Sequence, residues 1–143
     1  MADTSAPRTR ASSGSPYEAS IGFCRAIRVG NHILVSGTAP VEPDGRSTPG
    51  DAEAQARRCL QIIVGAIESL GGSAADVVRT RMFLVDPADA DAVGRAHGAV
   101  FSAIRPASTM VAGAVLLRPE WRVEIEADAI LPDAAIDAAP DAA

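Results

Sequence analysis

The chain has 143 residues, 48% of them hydrophobic, and a formal net charge of −5 at pH 7. This fits one domain with one core, and no apolar run approaches the roughly 18 residues that a membrane span needs. All 13 basic residues are arginine, which excludes lysine Schiff-base chemistry, and the acidic balance argues against a nucleic-acid partner.

The first fifteen residues predict no ordered structure. They combine Ser, Ala, Arg, Pro and Gly with few apolar groups, and they lack the hydrophobic segment of a secretory signal. Residues 132–143 repeat Asp, Ala and Pro, which is typical of a solvated tail. We therefore expect a disordered leader (1–15), one domain (16–131) and a disordered acidic tail (132–143), in a soluble cytoplasmic protein without a membrane partner.

Local signals divide the domain into strands and helices. Gly30-Asn31 separates two β-prone runs and is a two-residue hairpin signal. Asp51 can cap a helix whose apolar positions keep helical spacing, and Asp86-Pro87 is the start signal of a second helix. In chain order, the predicted elements are strands at 23–29 and 32–39, a helix at 51–70, a strand at 76–86, a helix at 88–104, and strands at 107–117 and 122–131.

The order β-β-α-β-α-β-β predicts an α+β fold, a mixed sheet with two helices on one face. The third strand alternates, with Arg79, Arg81 and Phe83 on one parity and Val78, Thr80, Met82 and Leu84 on the other, so neither of its faces is plainly aqueous. In the last strand Glu124, Glu126 and Asp128 share the parity that points away from the helices. Because two helices leave the second face of the sheet uncovered, we expect another subunit to cover it.

Four segments in this order resemble the Rid family, the reactive intermediate deaminases also called YjgF or L-PSP endoribonucleases. They are "SPYEASIGFCRAIRVGNHILVSGTAP", "DVVRTRMFLVDPADADAVGRAHGAVF", "RPASTMV" and "VEIEADAI". The resemblance implies a chorismate-mutase-like fold in a homotrimer with clefts between subunits. Its deaminating members hydrolyse imines and enamines such as 2-aminoacrylate to keto acids and ammonia, without a metal or an organic cofactor.

Several site residues carry over from this resemblance. Tyr17 matches the family's N-terminal tyrosine, and Ser36 and Gly37 match the "SG" pair that shapes the cleft. Glu124 matches a glutamate that is thought to activate or hold water. We therefore expect Glu124 to be the catalytic carboxylate, with a pKa raised by burial.

The family's substrate-binding arginine does not carry over. Its position, after Pro-Ala, is Ser108, followed by Thr109 and Met110, and these three are the expected ligand contacts there. Arg105 would have to enter from a loop, and Arg122 is expected to form a salt bridge with the carboxylates of its own strand. A hydroxyl offers a carboxylate a hydrogen bond but no charge, so activity on 2-aminoacrylate should be weak or absent.

Two functions of different classes remain open: a hydrolase of altered specificity that uses Glu124 and water, or a non-catalytic ligand-binding or protein-interaction module. The expected ligand is a small carboxylate or imine. An endoribonuclease is disfavoured, because His32 is expected to be exposed and His97 to be packed in the helical apolar stripe, so neither pairs as an acid–base couple. Cys24 and Cys59 have no metal-ligand spacing and predict buried, reduced thiols.

Overall fold

A computed structural model describes residues 5–133, and it is built on one six-stranded mixed sheet. The strand order is β1-β2-β3-β6-β4-β5. The pair β4–β5 is parallel and every other neighbouring pair is antiparallel. The strands are β1 (Arg8–Ala11), β2 (Ala26–Val29), β3 (His32–Thr38), β4 (Val77–Leu84), β5 (Ala107–Ala112) and β6 (Val123–Ile130), and the helices are α1 (Ala52–Ser69) and α2 (Ala90–Phe101).

Local signals placed the turn and the start of the first helix correctly. Gly30 has φ 61°, and Val29 pairs with His32 across a two-residue turn. The Asp51 side chain accepts a hydrogen bond from the Ala54 amide at 3.0 Å and caps α1. The second helix is shorter than expected, because residues Pro87–Asp89 form a separate 3₁₀ turn before α2.

Residues 8–11 lie inside the leader that the sequence predicts to be disordered, yet the structure places them in a strand. β1 runs antiparallel to β2, from Arg8 opposite Val29 to Ala11 opposite Ala26. Its side chains are mostly exposed, so its order rests on backbone pairing with the open edge of β2, which needs no apolar side chains. The predicted acidic tail falls almost wholly on residues 134–143, outside those described.

The core lies between the sheet and the two helices. Both helices bury their apolar stripes against the face of the sheet formed by the alternate residues of β3, β4 and β6. In β6 these are Val123, Ile125, Ala127 and Ala129, each at most 1% exposed. They meet Cys59, Leu60, Ile63 and Ile67 of α1 and Val93, Ala96 and Phe101 of α2 in one cluster.

Two β-bulges interrupt the regular alternation. In β3, Ser36 and Gly37 together stand opposite one β6 residue, because the register shifts between Val35 and Thr38. In β4 the register shifts between Val77 and Arg79. The bulge breaks the regular alternation of the strand, so that Val78 is 40% exposed whereas Val77 is buried, as Thr80, Met82 and Leu84 are.

The opposite face of the sheet, called the open face below, has several exposed apolar side chains. Its β3 and β6 strands present Leu34 and Ile130, which are 51% and 43% exposed. At the β5 edge all six residues are exposed, which is unusual for a strand of this apolar composition. Within the described part of the chain, neither helix has the length and hydropathy to span a membrane.

Candidate functional site

The β3 bulge makes room for the carboxylate of Glu124. Glu124 lies on the open face of β6, opposite Phe83 of β4, and is half-buried. A Cβ atom on Gly37 would lie 2.7 Å from Glu124 Oε1, so only a glycine at this position leaves the carboxylate where it is.

An arginine that the sequence did not single out lies on the other side of Gly37. Arg25 immediately precedes β2, and its Nη2 donates to the Gly37 carbonyl oxygen at 2.6 Å. Its Nε atom is buried without a hydrogen-bond partner among the described residues. No described carboxylate oxygen lies within 4.0 Å of its nitrogens, so it is near Glu124 without pairing to it.

The charges in this group perturb one another. Burial raises the pKa of Glu124 and the negative charge of Glu126 adds to this, while the positive charge of Arg25 opposes it; the net direction is upward. Burial also lowers the pKa of the Arg25 guanidinium, against the opposing charges of Glu18 and Glu124. An upward shift suits a carboxyl group that exchanges protons with water.

The neighbouring acids of β6 are already paired. Arg81 lies 3.0 Å from Glu126 and 3.7 Å from Asp128. The sequence predicts that Arg122 pairs with the acids of β6. It pairs instead with Asp89 at 3.1 Å, because the 3₁₀ turn before α2 brings that carboxylate to the start of the strand. Glu124 is therefore the one acid of β6 without an ion pair among the described residues.

A second polar group lies on the helix-facing side of the sheet. Thr80 of β4 is fully buried, and its Oγ1 lies 2.8 Å from His97 Nε2 and donates to Ser108 Oγ at 2.9 Å. The His97 ring also contacts Phe101, with a centroid separation of 4.8 Å. Burial lowers the pKa of His97. This series of hydrogen bonds, His97–Thr80–Ser108, holds the exposed Ser108 hydroxyl of β5 from the helix-facing side of the sheet.

The predicted site residues therefore fall on opposite sides of the sheet. Ser108 and Met110 pair in register with Thr80 and Met82 on the helix-facing side, whereas Thr109 pairs with Arg81 on the open face. The sheet separates Ser108 from Glu124 within one chain.

Two further predicted contacts have other surroundings. The Ser36 hydroxyl donates to the Cys24 carbonyl at 2.7 Å and braces the bulge. Tyr17 is 62% exposed and precedes the short helical turn Glu18–Gly22. Its hydroxyl makes no hydrogen bond to any residue of 5–133.

The hairpin contained the signal that could have found Arg25. Once Val29 is opposite His32, counting back along the two strands places Arg25 opposite Ser36, beside the "SG" pair. Arg105 and Arg122, the two substitute arginines suggested by the sequence, both lie outside this hairpin. Among residues 5–133, no group of three or more His, Cys, Asp and Glu side chains is placed to hold a metal ion.

The fold and the half-buried Glu124 define a small α+β protein with an acidic residue on an uncovered sheet face. The family model described as Endoribonuclease L-PSP matches residues 14–131. An uncharacterised protein of Streptomyces coelicolor is 39% identical over 126 residues, covering 87% of this chain and 94% of that one.

Two further relatives have informative names. The 2-iminobutanoate/2-iminopropanoate deaminase of Escherichia coli is 34% identical, covering 86% of this chain and 97% of that one. A Mycobacterium tuberculosis structure described as a member of the YjgF/YER057c/UK114 family superposes with a TM-score of 0.80 at 39% identity, covering 87% of this chain and all of that one. The chain belongs to this family, also called Rid.

Proposed function

We propose that the protein hydrolyses a small imine or enamine, with Glu124 transferring the protons. Glu124 would take a proton from water as the water oxygen attacks the imine carbon. The nitrogen then receives the protons, the C–N bond breaks, and a carbonyl compound and ammonia leave. The observation that carries this proposal is the half-buried, unpaired Glu124 carboxylate with its raised pKa.

We further propose that three copies of the chain assemble and build the site in the clefts between them. The argument is geometric: Glu124 and Ser108 lie on opposite sides of one sheet, so a single ligand reaches both only if they come from different copies. The exposed apolar residues Leu34, Val111 and Ile130 support burial of this surface.

The specificity is expected to differ from that of the deaminase relatives. Ser108 stands where the family resemblance places an arginine, and its hydroxyl is held by Thr80. A neutral hydroxyl contributes less to carboxylate binding than a guanidinium does. The relative from E. coli named as a 2-iminobutanoate/2-iminopropanoate deaminase supports the class of reaction, and the serine argues for another preferred substrate.

The neutral character of the β5 edge favours a second candidate, a non-catalytic ligand binder. Met110, 37% exposed beside Ser108 in the strand, could fill the cleft in place of a reacting group. A ribonuclease has less support, because His97 is bound to Thr80 and His32 is exposed on β3, so the two histidines do not form an acid–base pair.

The test is hydrolysis of imines generated in solution from several amino acids, including 2-aminoacrylate. Glu124→Gln keeps the size of the side chain but cannot accept a proton, and should lower the rate by about 10²–10⁴-fold. Glu68→Gln, an exposed acid on α1, is the matched control and should leave the rate unchanged. Equal rates for wild type and Glu124→Gln, or no hydrolysis of any imine, would exclude the proposed reaction.

Assembly is tested separately by light scattering at micromolar concentration. Three subunits per particle are expected. A monomer would remove the shared cleft and leave Glu124 on an open surface.

A further inference from the structure

The guanidinium of Arg25 has more hydrogen-bond donors than its surroundings use. An arginine carries five N–H groups, and the described residues accept one, through the Gly37 carbonyl at 2.6 Å. Nε is enclosed without a partner, whereas Nη1 has no partner in residues 5–133 and is not enclosed. Most polar atoms in this degree of burial are satisfied, so the deficit needs an explanation.

Arg25 and Glu124 lie on the two sides of Gly37 and do not form an ion pair with each other. Arg25 and Glu124 influence each other electrostatically, yet no carboxylate oxygen of the described chain comes within 4.0 Å of the Arg25 nitrogens. Elsewhere on the open face the equivalent pair, Arg81 and Glu126, is in contact at 3.0 Å. The cation and the acid thus lie on the two sides of Gly37 and act on each other without forming an ion pair.

We propose that Arg25 binds the carboxylate of the substrate, the role that the resemblance gives to an arginine absent at Ser108. The free edge of the guanidinium, Nη1 with the second hydrogen of Nη2, presents two donors to one carboxylate. The hydrogen bond to Gly37 fixes the plane of this fork beside the bulge. The carbon next to the carboxylate then lies on the side of Glu124, where water can attack it.

This inference rests on the proposed function for the reaction, and it assigns the binding of the substrate carboxylate to a residue of the same chain as Glu124. Other arginines of this region are already engaged. Arg81 pairs with Glu126 and Asp128, and Arg122 pairs with Asp89. Arg28 is buried, with hydrogen bonds to the carbonyl oxygens of Gly30 and Leu70.

The experiment compares the binding of pyruvate and of its neutral amide, pyruvamide, by titration calorimetry or ligand-observed NMR. These two probes have nearly the same shape and differ in the charge of one group. Wild-type protein should bind pyruvate at least about tenfold more tightly than pyruvamide. Arg25→Gln should lose that preference, and Arg25→Lys should keep part of it, because an ammonium retains the charge but not the fork.

The control is Arg57→Gln, which removes the same charge from the exposed surface of α1, where Arg57 pairs with Glu53. It should keep the full preference. The inference is overturned if wild-type protein does not prefer pyruvate, or if Arg25→Gln prefers it as strongly as wild type. Should Arg25→Gln not fold, as judged by its elution volume and melting, Arg25→Lys decides: an unchanged preference refutes the fork.

These experiments can reject the Arg25 carboxylate site and the proposed hydrolysis independently of each other. A carboxylate preference that Arg25→Gln abolishes, in a protein that hydrolyses no imine, supports the Arg25 site and rejects the proposed reaction. Hydrolysis that depends on Glu124 but is indifferent to the substrate carboxylate supports the reaction and rejects Arg25 as its anchor.

Discussion

The contact between Gly37 and Glu124 can be tested by adding a single methyl group. In Gly37→Ala the new Cβ would lie 2.7 Å from Oε1, 3.4 Å from Cδ and 3.7 Å from Cγ of Glu124. The oxygen contact is shorter than an ordinary van der Waals separation by roughly 0.5–1 Å. Gly37 is not among the glycines with positive φ, so alanine suits the backbone and the strain falls on the Glu124 side chain.

Glu124 can relieve this strain by rotating, which costs about 0.5–1.5 kcal/mol. We therefore expect the melting temperature to fall by only about 2–8 °C. Displacing the carboxylate by about 1 Å should lower kcat/KM for imine hydrolysis by about 10²-fold. The activity loss should thus greatly exceed the loss expected from the small unfolded fraction.

Thermal unfolding and hydrolysis are measured on the same preparations, with Gly65→Ala as the control. Gly65 is exposed on α1 and a Cβ there meets nothing within 4 Å, so this variant should gain up to about 1 kcal/mol of stability and keep its activity. Full activity in Gly37→Ala would refute the argument that the glycine positions Glu124. Loss of folding instead of activity would show that the bulge, not the carboxylate, requires it.

Three further predictions concern other contacts. Burial raises the pKa of Glu124 in the folded protein above the ordinary value of 4.5. Below pH 4.5 the carboxyl group is protonated in both the folded and the unfolded chain. As the pH rises through the folded pKa, the folded protein must bury a charged carboxylate, and the wild type loses stability. Urea unfolding between about pH 4 and pH 8 should therefore show a stability advantage of Glu124→Gln that grows with pH; a constant difference would contradict it. Thr80→Val removes the hydroxyl between His97 and Ser108 and should lower the free energy of unfolding by about 1–3 kcal/mol in denaturant unfolding. An unchanged midpoint would mean that these hydrogen bonds do not stabilise the fold. Leu34→Arg places a charge on the open face and should shift the light-scattering mass towards monomer, whereas an unchanged mass would locate the interface elsewhere.

Features with a purely local cause were predictable from the sequence. The Gly30-Asn31 turn depends on a glycine with positive φ, and the start of α1 depends on the hydrogen bond that Asp51 accepts. The predicted alternation of buried and more exposed side chains in β6 was also confirmed. The strand pairs with a neighbour on each side, so each of its side chains must point to one face of the sheet or the other. These signals were enough to give the order of the main elements from β2 to β6 and the face on which Glu124 lies.

Features that depend on pairing between distant segments were not predictable in the same way. The bulge at Val78 shows in the register against β6 and leaves no mark in composition. Strand β1 exists because β2 offers it a free edge. Arg25 is an exception, because it reaches Gly37 through the local β2–β3 hairpin and could have been found by counting back from the predicted turn.

The position of the cation has a consequence for the orientation of the substrate. An arginine at Ser108 would lie across the sheet from Glu124, and would have to approach the ligand from a neighbouring copy. Arg25 lies on the same side of the same chain as Glu124. If Arg25 holds the carboxylate, one chain supplies both the anchor and the acid, and the partner contributes Ser108, held by Thr80 and His97. The group facing Ser108 would then be the rest of the substrate, so a polar side chain there should bind better than the methyl group of pyruvate imine.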